Sequence, residues 1–262
     1  MEAHAHELHK SPLHGWKHYL FEFFMLFLAV LLGFFAENMR EQHGETERAG
    51  QLAKSLYEEL KADSSVMQTT MQNRWRRDSA LNYLKNYYND SSLANCSKSF
   101  AINFFYVYAT YSLSAFEPND AILQQLKNSG SLRYFKNMEL QKLIDNLSVR
   151  INYVRARNQI EWVFYNEHMV PFVQSHNDQR VFDLFEKDTS VWIVNAMRKY
   201  ENNNDPISFH FQKPETLDKV EAVNSLGFYQ IITRSNSMRA YPDYLSLNER
   251  VQDALRKEYD LK

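Results

Sequence analysis

One apolar segment near the N-terminus restricts what this chain can fold into. From Phe23 to Ala36 the sequence reads FFMLFLAVLLGFFA, and an earlier start at Tyr19 adds only Glu22 as an ionisable residue. As a helix, Tyr19 to Ala36 would extend about 27 Å, close to the ~30 Å hydrocarbon core of a bilayer. The alternatives are a buried core helix and a cleaved signal peptide. Cleavage favours two small residues, and Phe34 with Ala36 supplies one, so the segment predicts an uncleaved transmembrane helix.

Two features within this span suggest contacts rather than catalysis. Glu22 follows His18 by one helical turn, where it can pair with that histidine or reach the headgroup region, so we interpret it as interfacial. Ala29 and Gly33 form a pair of small residues that would let two such helices approach closely. The lipid bilayer is therefore the first predicted partner, and a protein partner or a homo-oligomer is the second. The pair of small residues permits a contact through the span but does not by itself indicate one.

Basic residues near the two ends of the span nearly balance. Lys10 and Lys17 precede it, and Arg40, Arg48 and Lys54 follow it. The positive-inside rule depends on such a difference, and the short N-terminal side with a lysine beside the span favours a cytoplasmic N-terminus. In a bacterium with two membranes, this predicts an inner-membrane protein with most of its chain in the periplasm.

The first eighteen residues contain five of the nine histidines, which raises the question of a metal site. Their spacing matches no closed zinc site and lacks cysteine partners, because the chain has one cysteine, Cys96. Pro12 and Gly15 are expected to prevent a regular helix. We therefore predict a flexible tail over residues 1–18, with no cofactor.

Composition favours an all-α fold and argues against nucleic-acid binding. The chain has 262 residues with 44% hydrophobic residues, ample for a buried core, and only six glycines and six prolines for tight turns. Its net charge of −2 provides no basic surface of the kind that phosphate backbones attract. Beyond the span (19–36) we predict a long stalk helix over 37–88 and an irregular helical bundle over 89–262, with a candidate break at 202–205.

Several local signals place helices within the bundle. Asn137 begins the strongest amphipathic pattern, which includes Trp162 on its apolar stripe and is expected to end near His168, before Pro171. Between Asn128 and Gly130 the preceding helix should end, with the glycine in a left-handed cap. Phe100 to Leu113 is aromatic throughout, and periodicity does not separate a helix from a pair of strands.

A basic run with an aromatic residue lies in the predicted stalk: Arg74, Trp75, Arg76 and Arg77. It is a candidate patch for phosphate, a lipid headgroup or an acidic partner. The structural alternative is a solvated basic face with Trp75 packed in the core.

Motifs of common enzymes are absent from the sequence, including HExxH, GxSxG, a Walker loop and GxGxxG. We therefore predict no catalytic residue. The first functional hypothesis is a non-enzymatic scaffold or interaction module with a protein partner. The second is a periplasmic ligand sensor that signals through a partner, and the third is an enzyme with an unrecognised site.

Two stretches resemble a known group of proteins. WKHYLFEFFMLFLAVLLGFFAENMR (Trp16 to Arg40), followed by LAKSLYEELKADSS (Leu52 to Ser65), resembles uncharacterised single-pass membrane proteins common in Bacteroidota. NDAILQQLKNSGSLRYFKNMELQKLIDNL (Asn119 to Leu147) is similar to a recurring motif of the same group. The resemblance implies a membrane-anchored helical protein and implies no catalytic residue.

Overall fold

The computed structural model describes residues 12–186 and 193–261. Within these ranges the structure consists of helices and turns, and the one pairing of β type is an isolated bridge between Cys96 and Phe209. The predicted all-α class is confirmed. Residues 1–11 of the predicted histidine-rich tail lie outside the described residues.

Helix α1 extends without interruption from Pro12 to Asp90. Its apolar segment has a mean hydropathy of 2.2 over 18 residues, and none of that window is buried. Length and composition are sufficient to cross a membrane, a property that anchors share with signal sequences. Contrary to our expectation, Pro12 does not prevent the helix but begins it, because the first helical position needs no backbone N–H donor.

The chain divides into two compact units, Met1–Leu52 and Ala53–Lys262. The second unit includes the C-terminal part of α1, where Ala53, Leu56 and Leu60 are buried. The bundle thus begins at Ala53 and not at residue 89, and this part of α1 is one of its core helices rather than a stalk.

The remaining helices all belong to this second unit. They are α2 (Lys98–Tyr108), α3 (Ala121–Asn128), α4 (Met138–Phe164), α5 (Val170–His176), α6 (Gln179–Glu186), α7 (Ile193–Asn202), α8 (Lys219–Ser235) and α9 (Tyr241–Tyr259). The aromatic segment after Ser97 is therefore a helix. Ser97, Asn137 and Asp218 cap α2, α4 and α8 through side-chain oxygens that accept backbone N–H groups.

Pro171, before which the amphipathic helix was expected to end, lies inside a continuous helix, and so does Pro242. A π-helical turn over Tyr165–Met169 joins α4 to α5, and a second over Asn236–Ala240 joins α8 to α9. Pro171 and Pro242 lie one residue after the wider hydrogen bonds that close these turns. Proline removes a donor and collides with the preceding turn of an α-helix, and we attribute the extra residue of each π turn to relief of that conflict.

Helix α2 lies at the centre of the aromatic core. Phe100 and Phe104 are fully buried, and their rings lie 5.3 and 5.1 Å from that of Phe209. Tyr88 of α1 contacts the same group, with its ring 6.0 Å from Phe100. Because α2 is buried on nearly every side, its sequence shows no polar face from which a helical period could be recognised.

Two glycines provide a matched test of backbone conformation. Gly130 adopts φ of 68°, in the left-handed region, whereas Gly227 lies within α8, and a Cβ on either would meet no atom within 4 Å. Gly130→Ala should destabilise the bundle by about 1–2 kcal/mol through backbone strain. Gly227→Ala should stabilise it by up to about 1 kcal/mol, because alanine favours a helix. Thermal unfolding measures both variants: the melting temperature should fall for Gly130→Ala and rise for Gly227→Ala. A change in the same direction for both would contradict this account.

Candidate functional site

The structure separates the four residues of the predicted basic patch. Arg74 and Arg77 are buried inside the bundle, whereas Trp75 is 46% exposed. Arg76 lies at the surface, stacks over Tyr106 and pairs with Glu201 at 2.8 Å. The structural alternative placed Trp75 in the core and the basic residues in solvent, whereas the structure exposes Trp75 and buries two of the arginines. Those two arginines are inaccessible to an external partner.

Arg74 is held by groups from several elements. Its guanidinium donates to Glu161 of α4 at 2.8 Å, to the hydroxyl of Ser237 at 2.6 Å and to the carbonyl of Thr233 at 2.7 Å. It also donates to the carbonyl of Ser114 at 2.5 Å. These bonds join α1 and α4 to the end of α8, the following π turn and the segment before α3.

Arg77 shares the same carboxylate from one turn further along α1. It donates to Glu161 at 3.4 Å, to the hydroxyl of Tyr229 at 2.9 Å and to the carbonyl of Thr110 at 2.5 Å. Asn236 donates its amide to Glu161 at 2.7 Å. We call Arg74, Arg77 and Glu161 the buried charge cluster.

The cluster contains two positive charges and one negative charge, all on side chains that are 2% exposed. Burial opposes the charged form of Arg74, but the attraction of Glu161 outweighs it, so the pKa of Arg74 is raised. Burial also raises the pKa of Tyr229, which keeps this phenol protonated as a hydrogen-bond partner. A cluster so enclosed can orient helices but cannot reach a substrate, and we assign it a structural role.

Glu161 was not among the residues predicted from sequence, although a signal existed for the cluster. Arg74 lies seven residues after Met67 and seven before Leu81, and all three are buried. A charged residue at a buried helical position is the pattern that should have suggested an internal ion pair. Glu161 likewise lies seven residues after the buried Val154.

A second polar group joins α1 to α3. The carboxylate of Asp63 accepts the backbone N–H of Asn119 at 3.1 Å and the hydroxyl of Tyr244 at 2.5 Å. Glu59, one turn earlier, accepts the N–H of Ile122 at 3.1 Å. The first turn of α3 is thus capped by the Glu59 carboxylate of α1 rather than by the side chain of its own N-cap residue, and Asp63 holds the residue just before that cap.

These contacts predict a pH effect on stability. Burial raises the pKa of Asp63, and this outweighs the hydrogen bonds from Tyr244 and Asn119, which lower it. A carboxyl group whose pKa is raised by folding binds more protons in the native state, so its contribution to the free energy of unfolding falls as pH rises. The free energy of unfolding of Asp63→Asn, relative to that of the wild type, should therefore increase as the pH rises from about 4 to about 7. Urea unfolding of both proteins at about pH 4 and about pH 7 tests this. A stability difference between variant and wild type that stays constant, or that falls as the pH rises, would contradict it.

A groove with negative charge lies beside α8. Two contiguous cavities of about 290 and 500 Å³ share His168 and Glu221. We define the acidic groove by six of its lining residues: Glu167, His168, Asp218, Glu221, Phe164 and Phe228. Among the described residues that line it there is no lysine or arginine.

The outer side of α8 carries an exposed apolar strip next to this groove. Val220 is 70% exposed, Phe228 63% and Ile231 66%. Gly227, Phe228 and Ile231 follow Val220 at seven, eight and eleven residues, spacings that return to one side of a helix. We call these four residues the α8 face. Single exposed apolar residues are common. Three on one side of a helix mark a candidate interaction surface, which here also includes the exposed polar Asn224 between Val220 and Phe228.

The residues predicted in the apolar segment all lie on its exposed surface. Glu22 pairs with His18 at 3.3 Å, one turn apart as expected, and Tyr19 is 69% exposed. Ala29 and Gly33 are also exposed, and nothing lies within 4 Å of the position of a Cβ on Gly33. Lipid or another helix therefore has access to Ala29 and Gly33.

Gly130 lies at the turn after α3, where Asn128 is the last helical residue. Within 12–186 and 193–261, no group of three or more His, Cys, Asp or Glu side chains is placed to hold a metal ion.

Comparison of the chain with protein-family models, curated proteins and solved structures found no match.

Proposed function

We propose that this chain is a membrane-tethered protein-interaction module without enzymatic activity. The observation that carries the proposal is the α8 face, where three large apolar side chains, each more than 60% exposed, lie along one side of a helix of the second unit. The apolar segment of α1 would supply the tether.

The proposed location is the inner membrane of a bacterium, with the N-terminus in the cytoplasm and the second unit in the periplasm. The unburied apolar window and the lysine beside it support this arrangement. A reporter enzyme active only in the periplasm, fused after the C-terminus, should be active. Activity of a cytoplasmic reporter at the same position would contradict the orientation.

Photo-crosslinking in cells tests the interaction. A photoreactive amino acid at Ile231 should produce a discrete crosslinked protein, whereas the same group at Val149 of α4, with a similar exposure of 69%, should not. Equal products at both positions, or none at Ile231, would contradict the proposal. Hydrolytic turnover by the purified chain that His168→Ala abolishes without unfolding it would also contradict it.

A second candidate, a ligand sensor, is favoured by a different groove. A cavity of about 530 Å³ is lined by four aromatic side chains, Phe104, Phe105, Tyr108 and Phe182, and by the polar side chains of Gln174, Asn177 and Gln179. A concave surface of mixed aromatic and polar groups suits a small ligand with an apolar part. A panel of apolar compounds should then raise the melting temperature of the wild type and not that of Phe182→Ser. The absence of any shift would argue against the sensor.

A further inference from the structure

The α8 face and the acidic groove form adjacent parts of one surface, because Val220 and Phe228 line the groove as well as belonging to the face. A partner that covers the face would therefore also meet the groove. The chemistry of both parts together restricts what that partner can be, provided that the chain has the interaction function proposed above.

The charges around this surface are unbalanced. The side-chain carboxylates of Glu167 and Glu221 form no hydrogen bond or ion pair with any other residue in the described part of the chain. On the opposite side of the strip, Arg234 is already paired with Asp78 through two bonds of 2.7 and 2.8 Å. The nearby Lys219 is turned to the carbonyl of Ser91 at 2.9 Å. The groove therefore presents negative charge that no lysine or arginine of its described lining neutralises.

Gly227 adds an independent geometric observation. A glycine inside a helix costs about 1 kcal/mol relative to alanine. The fold gives no reason for it here, since its φ is ordinary and a Cβ would lie in open space. Its position between Val220 and Ile231 leaves the backbone of α8 accessible in the middle of the apolar strip. Absence of a side chain at such a point permits the close approach of another helix.

We propose that this surface binds a basic amphipathic helix of a partner protein. The apolar side of that helix packs along Val220, Phe228 and Ile231, with its closest approach over Gly227. Its lysine or arginine side chains extend into the acidic groove and pair with Glu167 and Glu221. This is the helix-in-groove mode of recognition, with charge selecting the partner.

The test uses the full chain in nanodiscs of phosphatidylcholine, with empty nanodiscs as the baseline. The probe is a fluorescent amphipathic helical peptide of leucine and lysine, compared with the same peptide carrying glutamate or glutamine in place of lysine. Fluorescence anisotropy should show saturable binding of the lysine peptide above the baseline. The glutamate and glutamine peptides should bind at least about tenfold more weakly, and added salt should weaken the binding of the lysine peptide.

Matched variants separate the two parts of the surface. Phe228→Ser and Val220→Ser should weaken binding of the lysine peptide, the first by about tenfold as expected of an aromatic anchor. Val149→Ser is the control, since its exposure of 69% matches the 70% of Val220. Glu221→Gln should weaken binding and reduce its salt dependence, whereas Glu249→Gln, at an exposed site on α9, should leave both unchanged.

Gly227→Gln tests the close approach of the partner helix over Gly227. The substitution should not disturb the fold, because it adds helix propensity at a position with open space. It should keep or raise the melting temperature and weaken peptide binding. Binding no greater than to empty nanodiscs, equal binding of the three peptides, or indifference to Phe228→Ser and Gly227→Gln would overturn the inference. A specific crosslink at Ile231 to a protein without a basic helix would overturn it too, while the interaction function itself would stand.

Discussion

Replacement of Glu161 by alanine should destabilise the bundle far more than the loss of any ion pair at its surface. It would leave the guanidinium groups of Arg74 and Arg77 buried without a carboxylate, and would remove the shorter hydrogen bond of the Asn236 amide. Removal of one partner from a buried ion pair typically lowers the free energy of unfolding by about 3–5 kcal/mol. For a unit of this size that corresponds to a fall in melting temperature of roughly 10 °C.

Thermal unfolding followed by circular dichroism measures this effect. Glu161→Gln, which keeps the shape and one acceptor but removes the charge, should fall between the wild type and Glu161→Ala. Glu201→Gln is the control, because its ion pair with Arg76 is at the surface and should contribute less than about 1 kcal/mol. If Glu161→Ala lowered the melting temperature no more than Glu201→Gln, the structural role of the buried charge cluster would be rejected.

The same cluster shows where prediction from sequence succeeds and where it fails. Helix boundaries that depend on local chemistry were predictable, such as the Asn137 cap of α4 and the end of α3 before Gly130. Burial of particular residues was not. On α4 both Glu161 and Trp162 are compatible with the stripe that includes Val154, and hydrophobicity favoured Trp162. The structure buries Glu161 and leaves Trp162 49% exposed.

The reason is that a buried charge depends on partners distant in sequence. Glu161 is placed by two arginines more than 80 positions earlier in the chain. Nothing in the sequence around Glu161 encodes that contact, so local periodicity alone predicts that the more apolar neighbour is inside. Pro171 and Pro242 show a related limit, because a π turn lets the helix continue where the local rule predicts an end.

The acidic groove was also beyond prediction, for a different reason. Glu167 and His168 lie on the turn after α4, whereas Asp218 and Glu221 lie at the beginning of α8. Their proximity follows from the packing of the two long helices and not from any motif. The strip on α8 could have been recognised from its spacing, but its exposure could not, since the same pattern is typical of a buried helix face.

The second large expected effect concerns the apolar segment of α1. Leu28 and Leu31 lie near the middle of the predicted span, and replacement of both by arginine should move the protein from the membrane to the soluble or aggregated fraction. Each arginine at the centre of a transmembrane helix opposes insertion by about 2.5–3.5 kcal/mol on insertion scales. Alkaline carbonate extraction of cell membranes, followed by detection of a C-terminal tag, measures the distribution.

The position of the charge, rather than its presence, should decide the outcome. Glu22→Arg introduces the same side chain at the edge of the span, where it can reach the headgroups, and should leave the protein in the carbonate-resistant membrane fraction. Mass spectrometry of the wild type should find the N-terminal segment still attached, because an anchor is retained and a signal sequence is removed. A mature chain that lacks the apolar segment, or a Leu28→Arg, Leu31→Arg variant that stays in the membrane fraction, would contradict a transmembrane tether. The α8 face would then belong to a released protein, and its partner would be sought in solution.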